Sequence, residues 1–240
     1  MQAIIMAGGK GSRLHPYSAI FPKPLMPLGD KPVLEILLLQ LRAAKVTKII
    51  IAVNHLRHLI EAFFGDGSRF GVSITYSVED RPLGTAGPMG LILDKLEENF
   101  ILTNGDLLTN LDISRMVADH IESGAAATIA TYRRELRSEF GLLEVDENMR
   151  MVGYREKPIY QHLVSMGLYV LNREAVRRWV VPGEYLDMPV LMQLASEADM
   201  LVRCHQQDCT WLDIGRPEDF ALAQDIVQSD PDVFSPRGTT

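Results

Sequence analysis

A chain of 240 residues, 47% hydrophobic and 23% charged, has the composition of a soluble globular protein with room for one sizeable core. A net charge of −7 without a basic stripe argues against nucleic acid as a partner, and no apolar run approaches the roughly 20 residues of a membrane span. The start reads as a strand, not a signal peptide, and Cys204 and Cys209 are too few for a disulfide scaffold, so a cytoplasmic chain with reduced thiols is expected.

The first half alternates between two periods. Residues 2–7 form a short apolar run that stops at Gly8 and Gly9, as a buried strand does before a loop. Residues 33–44 are apolar nearly all round, which suits a helix packed on a sheet. A β-branched strand follows at 47–53, a helix at 56–64, a strand at 72–78, a helix at 85–93 and a strand at 100–103 that ends in Asn104-Gly105-Asp106. Strand and helix in turn predict right-handed βαβ units and a mostly parallel sheet, whose ligands lie beyond the carboxyl ends of the strands. The second half is less regular. Strands are expected at 126–132 and 165–171, with a hairpin of 141–145 and 150–154 reaching over the site. Helices are expected at 173–180, 188–198 and 217–227. The result is one domain over 1–228, with a polar tail from Ser229 that is expected to fray.

The stretch Gly8-Gly9-Lys10-Gly11-Ser12-Arg13-Leu14-His15-Pro16, followed by Pro22-Lys23-Pro24, carries the most chemistry. Glycines after a first strand let backbone amides approach phosphate, because no Cβ stands in the way. No Lys-Ser or Lys-Thr follows at the Walker spacing, and the stretch does not fit GxGxxG either. It supplies two cations, Arg13 and Lys23, able to flank one triphosphate. Taken alone, Asp106 after Asn104-Gly105 would pass for a turn residue, and Glu156-Lys157-Pro158 for a solvated strand exit. His55, Arg57 and His58 read as an exposed helix face, Met188 and Met192 as core, and His205 as a polar strand residue.

Together these stretches resemble the sugar nucleotidylyltransferase family, whose first signature GGxGxRLxPxTxxxPKP is matched at every position except the Thr, where Ser18 stands. The likeness continues through Glu79, Pro82-Leu83-Gly84-Thr85-Ala86-Gly87, Asn104-Gly105-Asp106, Glu156-Lys157-Pro158 and Trp211-Leu212-Asp213-Ile214-Gly215. It covers about residues 1–225 and leans toward short bacterial guanylyltransferases acting on mannose or heptose 1-phosphate. It implies an α/β fold with a Rossmann-like, mostly parallel sheet, helices on both faces and a smaller sugar-side β extension.

The resemblance also implies roles. Arg13 and Lys23 would be catalytic, holding the triphosphate while a sugar 1-phosphate attacks its α-phosphorus in line and pyrophosphate leaves. Ala7, Gly8, Gly9, Gly11, Ser12, Glu79, Gly84 and Thr85 would bind the nucleotide. Asn104, Gly141, Glu156, Lys157, Ser165 and Gly167 would bind the sugar phosphate, and Asp106 and Asp213 a Mg2+ ion. Ser165 stands where relatives tend to carry Asn, so mannose specificity does not transfer. Glu79 aligns with a Gln that meets the base in thymidylyl relatives. A carboxylate accepts both the N1–H and the amino group of guanine, which makes GTP the expected donor. Uridylyl, thymidylyl or cytidylyl transfer to another phosphorylated acceptor, and a regulatory subunit without turnover, are the alternatives. The oligomeric state is left open, a homo-oligomer included.

Overall fold

The computed structural model describes residues 1–9 and 20–236. Strand β1 (Gln2–Met6) lies inside a seven-stranded sheet, between β4 (Lys48–Val53) and β6 (Asn99–Asn104), and is parallel to both. Strand β5 (Ser73–Val78) continues the parallel run beyond β4. On the other side β11 (Ile159–Asn172) runs antiparallel to both β6 and β8 (Ala127–Arg137), and β12 (Val202–Gln206) closes the edge parallel to β8. The full order is β12-β8-β11-β6-β1-β4-β5, mostly parallel as expected.

The apolar runs are continuous because both faces of the sheet are covered. Alternate residues feed opposite cores. Ala3, Ile5, Ile49, Ile51, Val53 and Ile101 pack with α1 (Val33–Ala43), α2 (Arg57–Phe64) and α3 (Ile113–Ser123). Ile4, Ile50, Ala52, Phe100 and Leu102 pack on the far side with α4 (Arg173–Val176) and α5 (Met188–Glu197). Met188 and Met192 are buried there, the core role expected of them.

Two expected helices are shorter or tighter than read. Residues 85–93 form no α-helix but two 3-10 turns, Gly87–Leu91 and Leu93–Lys95. Pro88 supplies no N–H, and Gly87 and Gly90 lie against backbone. A Cβ on Gly87 would stand 2.5 Å from the Glu184 carbonyl oxygen, and one on Gly90 2.8 Å from that of Val181. The helix expected over 173–180 is the single turn α4. Helix α3, which the hydrophobic pattern missed, is capped by Asp112, whose side chain accepts the Arg115 N–H at 3.0 Å.

Short pairs complete the frame. Strands β2 (Pro27–Leu28) and β3 (Lys31–Pro32) make a turn before α1, and β7 (Leu107–Thr109) pairs antiparallel with β13 (Trp211–Asp213) ahead of α6 (Pro217–Ser229). The hairpin of β9 (Leu142–Val145) and β10 (Met151–Arg155) forms where it was expected. Part of the tail beyond α6 packs on the domain. Phe234 is 2% exposed in a small third core with Leu28, Val33 and Leu212, and the buried Gln40 amide donates to its carbonyl at 2.9 Å.

Candidate active site

Each of the four consecutive parallel strands β6, β1, β4 and β5 delivers a residue to one edge. Beyond β1 come Ala7, Gly8 and Gly9; beyond β4, Asn54; beyond β5, Glu79; and at the end of β6, Asn104 and Asp106. They line one pocket of about 540 Å³, together with Lys23, Pro24, Pro82, Leu83, Gly84, Thr85, Tyr185 and Asp187. A larger cleft of about 640 Å³, between β2, α1, α6 and the tail, has only Asp30, Lys31 and Asp232 as charged lining and holds none of the motif residues. Chemistry, not size, singles out the first.

Lys23 stands in a 3-10 turn held by Pro22 and Pro24, and its ammonium lies 3.4 Å from Asp106 Oδ2. Asp213 arrives from the far end of the chain because β13 pairs with β7, setting Asp213 opposite Leu107. Gly215 shows how tightly the three groups meet. A Cβ there would stand 2.6 Å from Lys23 Nζ, 2.8 Å from Asp213 Oδ1 and 3.3 Å from Asp106 Oδ2. Burial pushes the Asp106 carboxyl above its ordinary value, and the neighbouring Asp213 charge adds to this, while Lys23 opposes it. Two carboxylates crowded beside one ammonium form a place for added positive charge. Among the described residues no cluster of three or more His, Cys, Asp or Glu could cage a metal. Two carboxylates nonetheless suit Mg2+, which keeps water and phosphate oxygens as its other ligands.

Glu79 is 8% exposed, and burial raises its pKa. Its Oε2 accepts the Leu83 N–H at 3.1 Å, and Oε1 would stand 2.9 Å from a Cβ on Gly8. The carboxylate therefore faces the glycine loop and not solvent. Gly84 (φ +82°) and Gly87 let the 83–90 segment lie against the backbone of 181–187. Thr85 is held by Asp187, which accepts both its N–H at 3.0 Å and its hydroxyl at 3.1 Å, and the Thr85 hydroxyl accepts the Met188 N–H at 2.8 Å. Tyr185 donates its hydroxyl to the same carboxylate at 2.7 Å, which holds Asp187 below the usual carboxylate range.

Not every expected residue reaches this pocket. Gly167 (φ +79°) sits at a register shift of β11 and abuts the Asn104 amide, so these two meet. The Ser165 hydroxyl accepts the Gly167 N–H at 3.3 Å and shares a hydrogen bond with the Tyr169 hydroxyl at 2.9 Å, which engages it within the turn. Gly141 and Glu156 form a separate group on the hairpin: the Tyr154 hydroxyl donates to Glu156 Oε2 at 2.7 Å and fills the space beside Gly141. Lys157 is exposed, with a positive φ of 42° and no ion pair to any described residue. Gly11, Ser12 and Arg13 lie outside the described residues. Asn54, Tyr185 and Asp187 were not anticipated. Asn54 follows a strand end and could have been found, whereas Tyr185 and Asp187 sit between short helices with no periodic signal.

A glucose-1-phosphate uridylyltransferase of Synechocystis is 34% identical over 92% of this chain and 61% of its own length. A mannose-1-phosphate guanylyltransferase of Mycobacterium tuberculosis is 32% identical over 95% of this chain and 65% of its own. The chain thus spans under two thirds of these curated relatives. A Bacillus anthracis structure, named provisionally as a glucose-1-phosphate thymidylyltransferase, has the same fold at a TM-score of 0.78 and 23% identity, covering 95% of each chain. The nucleotidyl transferase profile matches residues 2–230, and with the glycine loop, Lys23, Asp106 and Asp213 gathered at one sheet edge, this chain is a member of the nucleotidyl transferase family.

Proposed function

We propose that the protein joins a sugar 1-phosphate to a nucleoside triphosphate, releasing pyrophosphate, with GTP as the favoured donor. The observation that carries this reading is the meeting of Lys23, Asp106 and Asp213 around Gly215, beside a pocket walled by Gly8, Gly9 and Glu79. In-line attack of a sugar-phosphate oxygen on the α-phosphorus asks the protein chiefly to position groups and to neutralise charge. Backbone N–H groups at Gly8 and Gly9 hold phosphate oxygens, and Lys23 neutralises the pentavalent phosphorus and the departing pyrophosphate, together with Arg13. Asp106 and Asp213 hold Mg2+, which when bound supplies charge neutralisation at the phosphates. Glu79 accepts hydrogen bonds from guanine's Watson–Crick edge. Asn104, Ser165 and Gly167 face the acceptor, with Glu156 taking its hydroxyls, Lys157 its phosphate and Gly141 leaving them room. Thr85 contributes through its hold on Asp187. We place this activity in the cytoplasm, and leave a homo-oligomer open.

A panel crossing GTP, UTP, dTTP and CTP with mannose, glucose, N-acetylglucosamine and heptose 1-phosphates, scored by pyrophosphate release, tests the reading. GTP with at least one sugar phosphate should turn over, chelator should abolish the rate, and Lys23→Ala should lower it by about 10²–10³ with little change in melting temperature. No pyrophosphate from any pair would end the proposal. Uridylyl transfer is the second reading, favoured by the 34% identity to the Synechocystis relative; a rate with UTP above that with GTP would select it.

A further inference from the structure

Behind the carboxylate pair lies a partly buried ion pair that the transfer reaction itself does not call for. Asp219 stands in the first turn of α6 and is 5% exposed. Arg134 reaches it from the stretch of β8 that pairs with β11 alone, beyond the end of β12. The two guanidinium nitrogens face the two carboxylate oxygens, Nη2 at 2.9 Å from Oδ1 and Nη1 at 3.3 Å from Oδ2. Such a fork fixes orientation as well as distance. Oδ2 also accepts the backbone N–H of Asp213 at 3.1 Å. The guanidinium carbon lies 5.6 Å from the Trp211 ring centre, and that ring leans on Tyr132 at 5.5 Å.

Asp213 is thereby fixed at every polar atom of its backbone. Asp219 takes its N–H, the Arg216 N–H donates to its carbonyl at 2.9 Å, and the Gly215 N–H donates to its Oδ1 at 2.9 Å. A buried ion pair adds little net stability compared with apolar packing of the same volume, so its value lies in geometry. Here that geometry ties two parts together. One arm of Asp219 ends on the turn that aims Asp213 at Asp106 and Lys23. The other arm ends on the ribbon whose far end carries Glu156 and Lys157. We propose that Asp219 and Arg134 are positioning residues that hold the Asp213 turn in register with the β8–β11 ribbon; this rests on the reading of Asp106 and Asp213 as Mg2+ ligands.

The test uses the full chain with Asp219→Ala, Asp219→Asn and Arg134→Lys. Mn2+ is titrated calorimetrically into the substrate-free protein, and the Mg2+ requirement and acceptor KM are measured in turnover. Asp219→Ala should weaken Mn2+ binding about ten- to a hundredfold and raise the half-saturating Mg2+ concentration by a similar factor, as loss of a partner behind a metal ligand does. Asp219→Asn keeps an acceptor for the Asp213 N–H and should lose less metal affinity. Arg134→Lys keeps the charge without the fork, and should raise acceptor KM while Mn2+ binding stays near wild type. If all three variants only melted earlier, with metal binding and both constants unchanged, the pair would be structural and the proposal overturned. A wild-type protein that bound no Mn2+ would overturn it as well. Should Asp219→Ala fail to fold, the near-isosteric Asp219→Asn and the conservative Arg134→Lys decide alone. If wild type released no pyrophosphate with any substrate pair, the transfer reading would fail, and the Mn2+ arm would still judge the positioning role.

Discussion

The parallel part of the sheet and the β8–β11 ribbon with its hairpin use similar strand residues to opposite effect. In β1, β4 and β6 the isoleucines, Phe100 and Leu102 are buried, because helices or turns cover both faces. In the ribbon and hairpin, Leu136, Leu143, Met151, Val152, Ile159 and Leu163 are half or more exposed. The covered region fixes its edge residues by packing in three dimensions. The ribbon relies on its hydrogen-bond ladder and on side-chain links such as Arg155 to Glu144 at 2.7 Å. A group at the covered edge, such as Glu79 or Asp106, is thus placed before any ligand arrives. Glu156 and Lys157, at the exposed hairpin, have far less holding them.

The sharpest way to break this comparison is in the core itself. Phe100→Ala, at a side chain with no exposure, should cost about 3–5 kcal/mol in chemical denaturation. A cost below about 1 kcal/mol would mean that the covered half is not the stable frame described. Glu79→Gln probes the covered edge with a smaller effect. Because folding raises the Glu79 pKa above its ordinary value of 4.5, the folded state favours the protonated form. That contribution is complete below the ordinary carboxyl range and is lost as pH rises through the raised pKa. The variant should therefore gain melting temperature over wild type at neutral pH but not at pH 4. On the proposal that Glu79 meets guanine, the ratio of its rate with GTP to that with UTP should also fall by about tenfold or more, the worth of a hydrogen bond to a charged group. Equal pH profiles for the two proteins would show that Glu79 is not held as described. The smallest effect belongs to the hairpin. Leu143→Ala, at a side chain already 60% exposed, should change stability by no more than about 0.5 kcal/mol. A larger loss would reveal packing on that face.

How much was legible in the sequence follows the same division. Strands buried on both faces announce themselves as unbroken runs such as Ile49-Ile50-Ile51-Ala52-Val53, so the sheet and its carboxyl edge could be located from pattern alone. Asp106 follows such a strand and Glu79 directly follows the alternating β5, whereas Lys23 stands in a 3-10 turn and is marked by its Pro-Lys-Pro motif. The 85–93 segment misled, because its apolar residues pack as a helix's would while Gly87, Pro88 and Gly90 turn the backbone more tightly. Helix α3 escaped notice because only Ile113, Met116 and His120 are buried on it. The pairing of β13 with β7 is a contact between distant segments, and no local pattern encodes it. The same is true of Asp187 and Asp219, whose partners Thr85 and Arg134 stand far away in the chain.

The placement of β1 bears on how the molecule is assembled during synthesis. Strand β1 precedes both of its partners, β4 and β6, in the chain. Lys23 and Asp106 can therefore take their places early. Asp213 and Asp219, which accepts its N–H, come much later, with β13 and α6, and Gln40 of α1 waits longer still for the carbonyl of Phe234. Long-range closures of this kind are late and slow events in folding. The meeting of Lys23, Asp106 and Asp213 is thus absent from a nascent chain until β13 and α6 have emerged. A ribosome-stalled or C-terminally clipped product would carry most of the sheet, yet lack Asp213 beside Lys23 and Asp106.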